Sequence, residues 1–117
     1  MMTRENPQFL QSLNDAFIAG DTHFFEDNIT DDVIWSIVGN SKIYGKTGFL
    51  NFVKENSNVQ STERSIDRVI SEGLDLSVTG LIFTEKTAVS AYHDVYRFSG
   101  KGKGEIIELT SFLLKLD

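Results

Sequence analysis

The segment SAYHDVYRFSG places one carboxyl group among aromatic side chains. Alternate residues of a β-strand face the same side, so Tyr92, Asp94 and Tyr96 share one face, and His93 and Arg97 share the other. If the first face is buried, Asp94 is either paired for structure or held at an unusual pKa for function. Asp94 is therefore the first candidate for an acid or a hydrogen-bond donor.

The protonation state of Asp94 has two interpretations. No basic residue shares its face of the strand, so desolvation is expected to raise the pKa and leave a neutral acid that donates to a ligand oxygen. Alternatively, an ionised Asp94 accepts bonds from Tyr92, Tyr96 or a backbone N–H and only fixes the strand. Thr110 or Ser111, on the last predicted strand, is a candidate polar neighbour of Asp94.

Other residues are candidates for the wall of a pocket around this carboxyl. Trp35 and Ile37 share a face of the strand VIWSIVG, and the Trp35 indole N–H is a candidate donor to a ligand. Tyr92 and Tyr96 are candidate donors or wall residues. Four further apolar residues follow helical spacing, which is typical of an ordinary core and would also make a pocket apolar: Leu13, Phe17, Phe49 and Phe52.

Composition excludes several classes of function. The formal net charge of -6 disfavours nucleic acids and anionic membranes as partners, and no run of apolar residues is long enough to cross a bilayer. With no cysteine and no His, Asp and Glu set at ligand spacing, we expect no metal and no cofactor. The glycines of SGKGKG precede a strand, unlike those of a phosphate-binding loop. These features favour a cytoplasmic protein.

The N-terminal half predicts three helices. Asn6 and Pro7 are typical of a helix start, and Gly20 of a helix end. Asp21 is expected to cap a short second helix that the run Thr30–Asp32 ends. A third helix is expected from a Thr47 cap to about Glu55, followed by a polar loop over 56–63.

The remaining chain predicts a sheet. Two short strands, 33–39 and 42–44, precede the third helix, and the last four strands are joined by connections short enough for an antiparallel meander: 65–70, 76–83, 88–98 and 105–116. Helices followed by such a sheet indicate an α+β fold, and we expect residues 1–117 to form a single domain.

Several motifs together resemble the nuclear transport factor 2-like superfamily, above all its SnoaL-like and ketosteroid-isomerase-like members. They are AGD at the end of a helix, the strand DDVIW, the helix start GKTGFLNF and the strand HDVYRFSG. The resemblance implies a cone-shaped α+β barrel, with three N-terminal helices on a strongly curved, mainly antiparallel sheet. It also implies a pocket between helices and sheet, and a homodimer formed on the outer sheet face, where His93 and Arg97 would lie.

The resemblance transfers few catalytic residues. The tyrosine of the isomerases falls on Leu13 and their general base on Ile37, so only their acidic donor, Asp94, is present. The arginine of the epoxide hydrolases falls on Tyr92, and the pocket histidines of the dehydratases are missing. SnoaL-type cyclases, which use one acidic residue in a polar pocket, are the enzymes that match best.

Three functions follow from these patterns. The first is a dimeric protein that binds a small apolar molecule, including carbonyl compounds, in an apolar pocket. The second is a SnoaL-like cyclase or a ketosteroid-isomerase-like enzyme that uses Asp94 as acid or hydrogen-bond donor. The third is a non-catalytic dimeric scaffold whose pocket is filled by its own side chains.

Overall fold

The computed structural model describes residues 7–56, 63–100 and 104–116, and in them three helices pack on a seven-stranded sheet. The helices are α1 (Pro7–Ala19), α2 (Thr22–Asn28) and α3 (Gly45–Glu55). The strands are β1 (Ile29–Ile37), β2 (Ser41–Tyr44), β3 (Glu63–Arg64), β4 (Arg68–Glu72), β5 (Asp75–Thr84), β6 (Thr87–Phe98) and β7 (Ile106–Lys115).

The sheet is mixed and mostly antiparallel. Its order is β2-β1-β7-β6-β5-β3, with β4 also paired to β5. Strands β4 to β7 form the predicted antiparallel meander, whereas β1 runs parallel to β7. The helices cover the concave face of this curved sheet, which confirms the predicted cone-shaped α+β fold.

The first two helices begin and end largely as their residue types predict. Gly20 has a φ of 70°, the left-handed conformation that stops a helix. The Asp21 side chain accepts a hydrogen bond from the Phe24 backbone N–H and caps α2. The helix ends at Asn28, before the run Thr30–Asp32, as predicted. The expectation that the next strand begins only at residue 33 is wrong, because that run lies within β1. Both aspartates of that run are exposed, so the strand buries no charge there.

The predicted start of α3 is also wrong. The helix begins at Gly45, where a φ of 85° turns the chain out of β2, and its N-cap is Tyr44, without a side-chain cap bond. Thr47 therefore lies inside the helix. The expected Asn6 cap and most of the expected 56–63 loop fall outside the described residues, as does part of the glycine-spaced connection before β7.

The core lies between the helices and the concave face of the sheet and is rich in aromatic rings. Phe25 and Phe49 are fully buried, with ring centroids 5.3 Å apart. The Trp35 ring centroid lies 4.6 Å from that of Phe49. Burial of such a ring stabilises the fold by roughly 1.5–3 kcal/mol.

Candidate functional site

A cavity of about 450 Å³ lies between the helices and the sheet. Side chains from α1, α3 and five strands line it, so the site depends on the whole fold. Its apolar wall includes Phe17, Trp35, Ile37, Phe52, Ile82 and Val89. This is the size and character of a small-molecule site.

An ion pair lies in the wall of this cavity. The Arg64 Nη2 donates to Asp94 Oδ2 at 2.9 Å, and the two side chains are only 10% and 4% exposed. The guanidinium also lies over the ring of Tyr92, 4.1 Å from its centroid, and 4.9 Å from the centroid of Phe17. The Arg64 Nε–H is buried without a hydrogen-bond partner among the described residues. The cation is thus held by one carboxylate and two aromatic faces.

The expectation that no cation faces Asp94 is wrong. Alternation along β6 correctly predicts that Asp94 faces inward with Tyr92 and Tyr96. It gives no information about side chains that reach Asp94 from other strands. Arg64 belongs to β3, and its long side chain crosses β5 to reach Asp94. The only signal in the sequence is a basic residue immediately before the predicted strand 65–70, and such a residue is most often solvent-facing.

Burial raises the pKa of the Asp94 carboxyl above its ordinary value, as expected. The Arg64 guanidinium and a hydrogen bond with Ser111 act in the opposite direction, but desolvation is the larger effect. A guanidinium remains charged in proteins, so Arg64 keeps its positive charge whichever form Asp94 takes. The site therefore combines a fixed cation with a carboxyl that takes up a proton more readily than an exposed aspartate.

Ser111 connects the carboxyl to the indole of Trp35. Asp94 and Ser111 are directly paired across β6 and β7, so Ser111, and not Thr110, is the polar neighbour of Asp94. The Trp35 Nε1–H donates to Ser111 Oγ at 2.9 Å. The indole N–H is thus already paired, and the expectation that it is a free donor for a ligand is wrong.

Tyr92 is bonded to the backbone rather than to Asp94. Its hydroxyl donates to the Ser65 carbonyl oxygen at 2.6 Å and accepts from Asn14 Nδ2 at 3.1 Å. Burial raises the pKa of Tyr92, and it raises that of Tyr96 well above the ordinary range. Both phenols are therefore neutral hydrogen-bonding groups at physiological pH.

The candidate residues named from the sequence divide into residues of the cavity wall and residues of the buried core. Asp94, Tyr92, Trp35, Phe17, Ile37 and Phe52 line the cavity. Leu13, Phe49 and Tyr96 are not among its lining residues, and each is at most 1% exposed in the core beneath it. Further polar residues that line the cavity are Arg64, Ser111, Asn40, Asn56, Thr84 and Ser90.

No family model matches the sequence, and no curated protein matches it at a significant level. Solved structures do match. An NTF2-like protein of unknown function from Cytophaga hutchinsonii is 21% identical with a TM-score of 0.72, and the alignment covers 96% of this chain and 100% of that one. A putative isomerase of the SnoaL-like family from Agrobacterium tumefaciens is 11% identical with a TM-score of 0.75, over 91% and 94% of the two chains.

The chain has the NTF2-like fold. An LEH-like epoxide hydrolase from M. tuberculosis shares it too, with 16% identity and a TM-score of 0.68 over 91% of this chain and 80% of that one. Structures with the NTF2-like fold thus include proteins described as enzymes and proteins of unknown function, so the fold alone does not decide the activity. None of the helices in the described residues is long and apolar enough to span a membrane.

Proposed function

We propose that this NTF2-like protein binds a small, mainly apolar molecule that carries one hydrogen-bonding oxygen. The observation that carries the proposal is the buried pair of Arg64 and Asp94 in the wall of an otherwise largely apolar cavity of about 450 Å³. Its apolar wall favours the body of such a ligand, and the ion pair favours its polar group.

The charges of the site favour a neutral ligand. Arg64 and Asp94 neutralise each other, so a charged ligand would bring an unpaired charge into an apolar place. A neutral carbonyl or hydroxyl oxygen could instead accept a hydrogen bond from the guanidinium, or from Asp94 when it is protonated. Because the pKa of Asp94 is raised, protonation on ligand binding demands less free energy there than at an exposed aspartate.

Acid–base catalysis by Asp94, as in a SnoaL-like cyclase or a ketosteroid-isomerase-like enzyme, is the second candidate. The raised pKa favours it, since the buried carboxyl takes up a proton more readily than an exposed aspartate does. Against it, Asp94 is the only acidic residue among the cavity-lining residues that the structure describes. Chemistry that needs a separate acid and base therefore lacks one group, and we rank binding first.

The scaffold function is the least supported of the three. A scaffold would fill its own pocket, whereas here an open cavity remains beside the packed core. It would also have no use for a desolvated ion pair, which is a weak source of stability.

We also propose a homodimer on the outer sheet face. Apolar side chains on that face are exposed, including Ile70 at 57%, Phe112 at 43% and Leu114 at 66%. The Phe112 ring stacks on His93, with centroids 5.6 Å apart, so the apolar area continues towards the middle of the sheet. A soluble monomer rarely leaves so much apolar sheet surface in water.

The experiment for the proposed function is a titration with polycyclic ketones, followed by Trp35 fluorescence and by the melting temperature. Trp35 is the only tryptophan and lines the cavity, so a bound ligand should change its emission. Ile82→Phe, which fills the cavity, should abolish the response. Leu81→Phe, one residue away on the opposite face, should retain it. A response that survives Ile82→Phe would place the binding elsewhere, and no response to any ketone would favour the scaffold.

A further inference from the structure

The chain between β3 and β4 contains a β-bulge opposite Gly80. Arg64 pairs with Ile82, and Arg68 pairs with Thr79, so four residue steps on one strand face three on the other. The extra residue changes which side chains face inward. Without it, the pairing of Arg68 with Thr79 would continue until Arg64 stood opposite Phe83, on the outer face of the sheet. With it, Arg64 stands beside the cavity-lining Ile82.

At this bulge, the hydroxyl of Ser65 takes the place of its backbone carbonyl as hydrogen-bond acceptor towards β5. Its hydroxyl accepts the Leu81 backbone N–H at 2.9 Å, as a ladder carbonyl would. Its own N–H donates to the Leu81 carbonyl at 2.8 Å. The Ser65 carbonyl is thereby free to turn inward, where it accepts the Tyr92 hydroxyl at 2.6 Å.

The inward carbonyl occupies the space of a side chain at position 80. A Cβ on Gly80 would overlap the Ser65 carbonyl oxygen and would lie 2.8 Å from the Ser65 carbonyl carbon. It would also lie 2.9 Å from Cε1 of Tyr92. The Gly80 φ is not positive, so this glycine is required for space and not for backbone conformation. Any side chain there would force the Ser65 backbone away.

We propose that Gly80 is a positioning residue of the site, because its missing side chain admits the Ser65 bulge that directs Arg64 towards Asp94. The bulge and the ion pair are adjacent in sequence, because Arg64 directly precedes Ser65. They are also adjacent in space. The Arg64 guanidinium lies over the Tyr92 ring, and the Tyr92 hydroxyl donates to the Ser65 carbonyl. Asn14 from α1 supports the same hydroxyl. A side chain at position 80 thus acts on Asp94 through Arg64.

This inference rests on the proposed function only in that the ion pair is taken as the polar part of the ligand site. It is tested without ligand, so its failure is distinguishable from a failure of ligand binding. Three groups face the Asp94 carboxyl or act on its charge from other residues: Arg64 on β3, Ser111 on β7 and His93 on the reverse face of its own strand. Of these, only Arg64 is displaced by a change at Gly80.

The experiment is a mutant cycle read by NMR titration of the Asp94 carboxyl carbon. Gly80→Ala is compared with wild type, and the same substitution is compared in an Arg64→Met background. We expect Gly80→Ala to shift the Asp94 pKa upward in the wild-type background, since the opposing cation is removed, and to have no further effect when Arg64 is already methionine. Gly48→Ala, in which the new Cβ meets only the Ile43 side chain at 3.1 Å, is the matched control and should leave the titration unchanged.

A purely structural role would give a different result. If Gly80→Ala only loosened the sheet, it would shift the Asp94 titration equally in both backgrounds, and that result, or no shift in either, would overturn the proposal. If Gly80→Ala does not fold, Tyr92→Phe takes its place in the cycle, because it removes the hydroxyl that holds the Ser65 carbonyl and keeps the ring. An upward shift confined to the Arg64 background supports the proposal, and an unchanged titration contradicts it.

Discussion

Arg64 and Asp94 meet across an intervening strand, with Nη2 of one 2.9 Å from Oδ2 of the other. Removing two charges from water costs several kcal/mol per ion before their attraction is counted. Such a pair is a poor device for stability alone, and apolar residues of similar volume would often serve as well. Its place in the wall of a cavity agrees with a role in recognising a ligand.

Loss of the buried cation should cost more stability than loss of an exposed one. Arg64→Met leaves Asp94 desolvated without its counter-charge, so the carboxyl must either stay charged and unpaired or take up a proton, and at neutral pH we expect a loss of about 3 to 5 kcal/mol in the free energy of unfolding. The matched control is Arg97→Met, because Arg97 makes a two-bond pair with Asp75 at 3.0 and 3.1 Å but is 53% exposed. That variant should lose about 1 kcal/mol or less. Urea unfolding of both variants measures these losses. Equal losses would contradict the conclusion that Arg64 compensates a desolvated charge on Asp94.

The stability contributed by Asp94 should depend on pH with a defined sign. Its pKa in the folded state is raised above the ordinary 3.8, so the folded state holds the proton more tightly than the unfolded state. The stabilising contribution is therefore complete below 3.8 and is lost as the pH rises through the raised pKa. The measurement is the difference in unfolding free energy between wild type and Asp94→Asn. This difference should fall as the pH rises through this window and then level off. A difference that grows with pH would mean that Arg64 outweighs burial.

Ser111 should affect both of its partners. Ser111→Ala removes the acceptor of the Trp35 indole N–H and the hydroxyl that lowers the pKa of Asp94. We expect a loss of about 1–3 kcal/mol from the unpaired indole and a further rise of the Asp94 pKa. Thr110→Ala, on the adjacent outward position, should change neither the Trp35 emission nor the Asp94 titration. Equal effects of the two variants would contradict the role of Ser111 as the partner of both Trp35 and Asp94.

Local patterns predicted most of the fold because the strands β4 to β7 are consecutive and joined by short connections. Alternation also placed Asp94 and Tyr92 inward. It did not place Arg64, because Arg64 lies one residue before the predicted strand 65–70. The bulge at Ser65, which Gly80 of another strand admits, also reverses the facing of every residue before it. The pattern of residues within one strand cannot show that a neighbouring strand reverses the direction in which its side chains face.

Alternation also does not separate a cavity wall from a core. Tyr92 and Tyr96 face the same way on β6, yet only Tyr92 lines the cavity. The difference lies in their positions along β6, because only part of the inward face of that strand borders the cavity. Helical spacing has the same weakness: it predicts Leu13 and Phe49 as wall residues, whereas both are buried in the core and do not line the cavity.

The proposed dimer predicts a sedimenting species of twice the 13.1 kDa chain mass at micromolar concentration. Leu114→Glu introduces a charge on the exposed outer face and should convert the dimer to a monomer. Leu74→Glu introduces the same charge at the turn between β4 and β5 and should leave the dimer intact. A wild-type protein that sediments only as a monomer would contradict the proposal.

Recognition of a ligand oxygen by the Arg64–Asp94 pair is tested with tetralone and with tetralin, the same skeleton without the carbonyl. Both affinities are measured for wild type, Arg97→Met and the double variant Arg64→Met/Asp94→Leu, because a protonated Asp94 could still donate to the ketone when Arg64 alone is replaced. We predict that wild type and Arg97→Met prefer the ketone by about tenfold, the value of one hydrogen bond to a charged donor, and that the double variant binds both compounds equally. A ketone preference that persists in the double variant would contradict recognition by this pair.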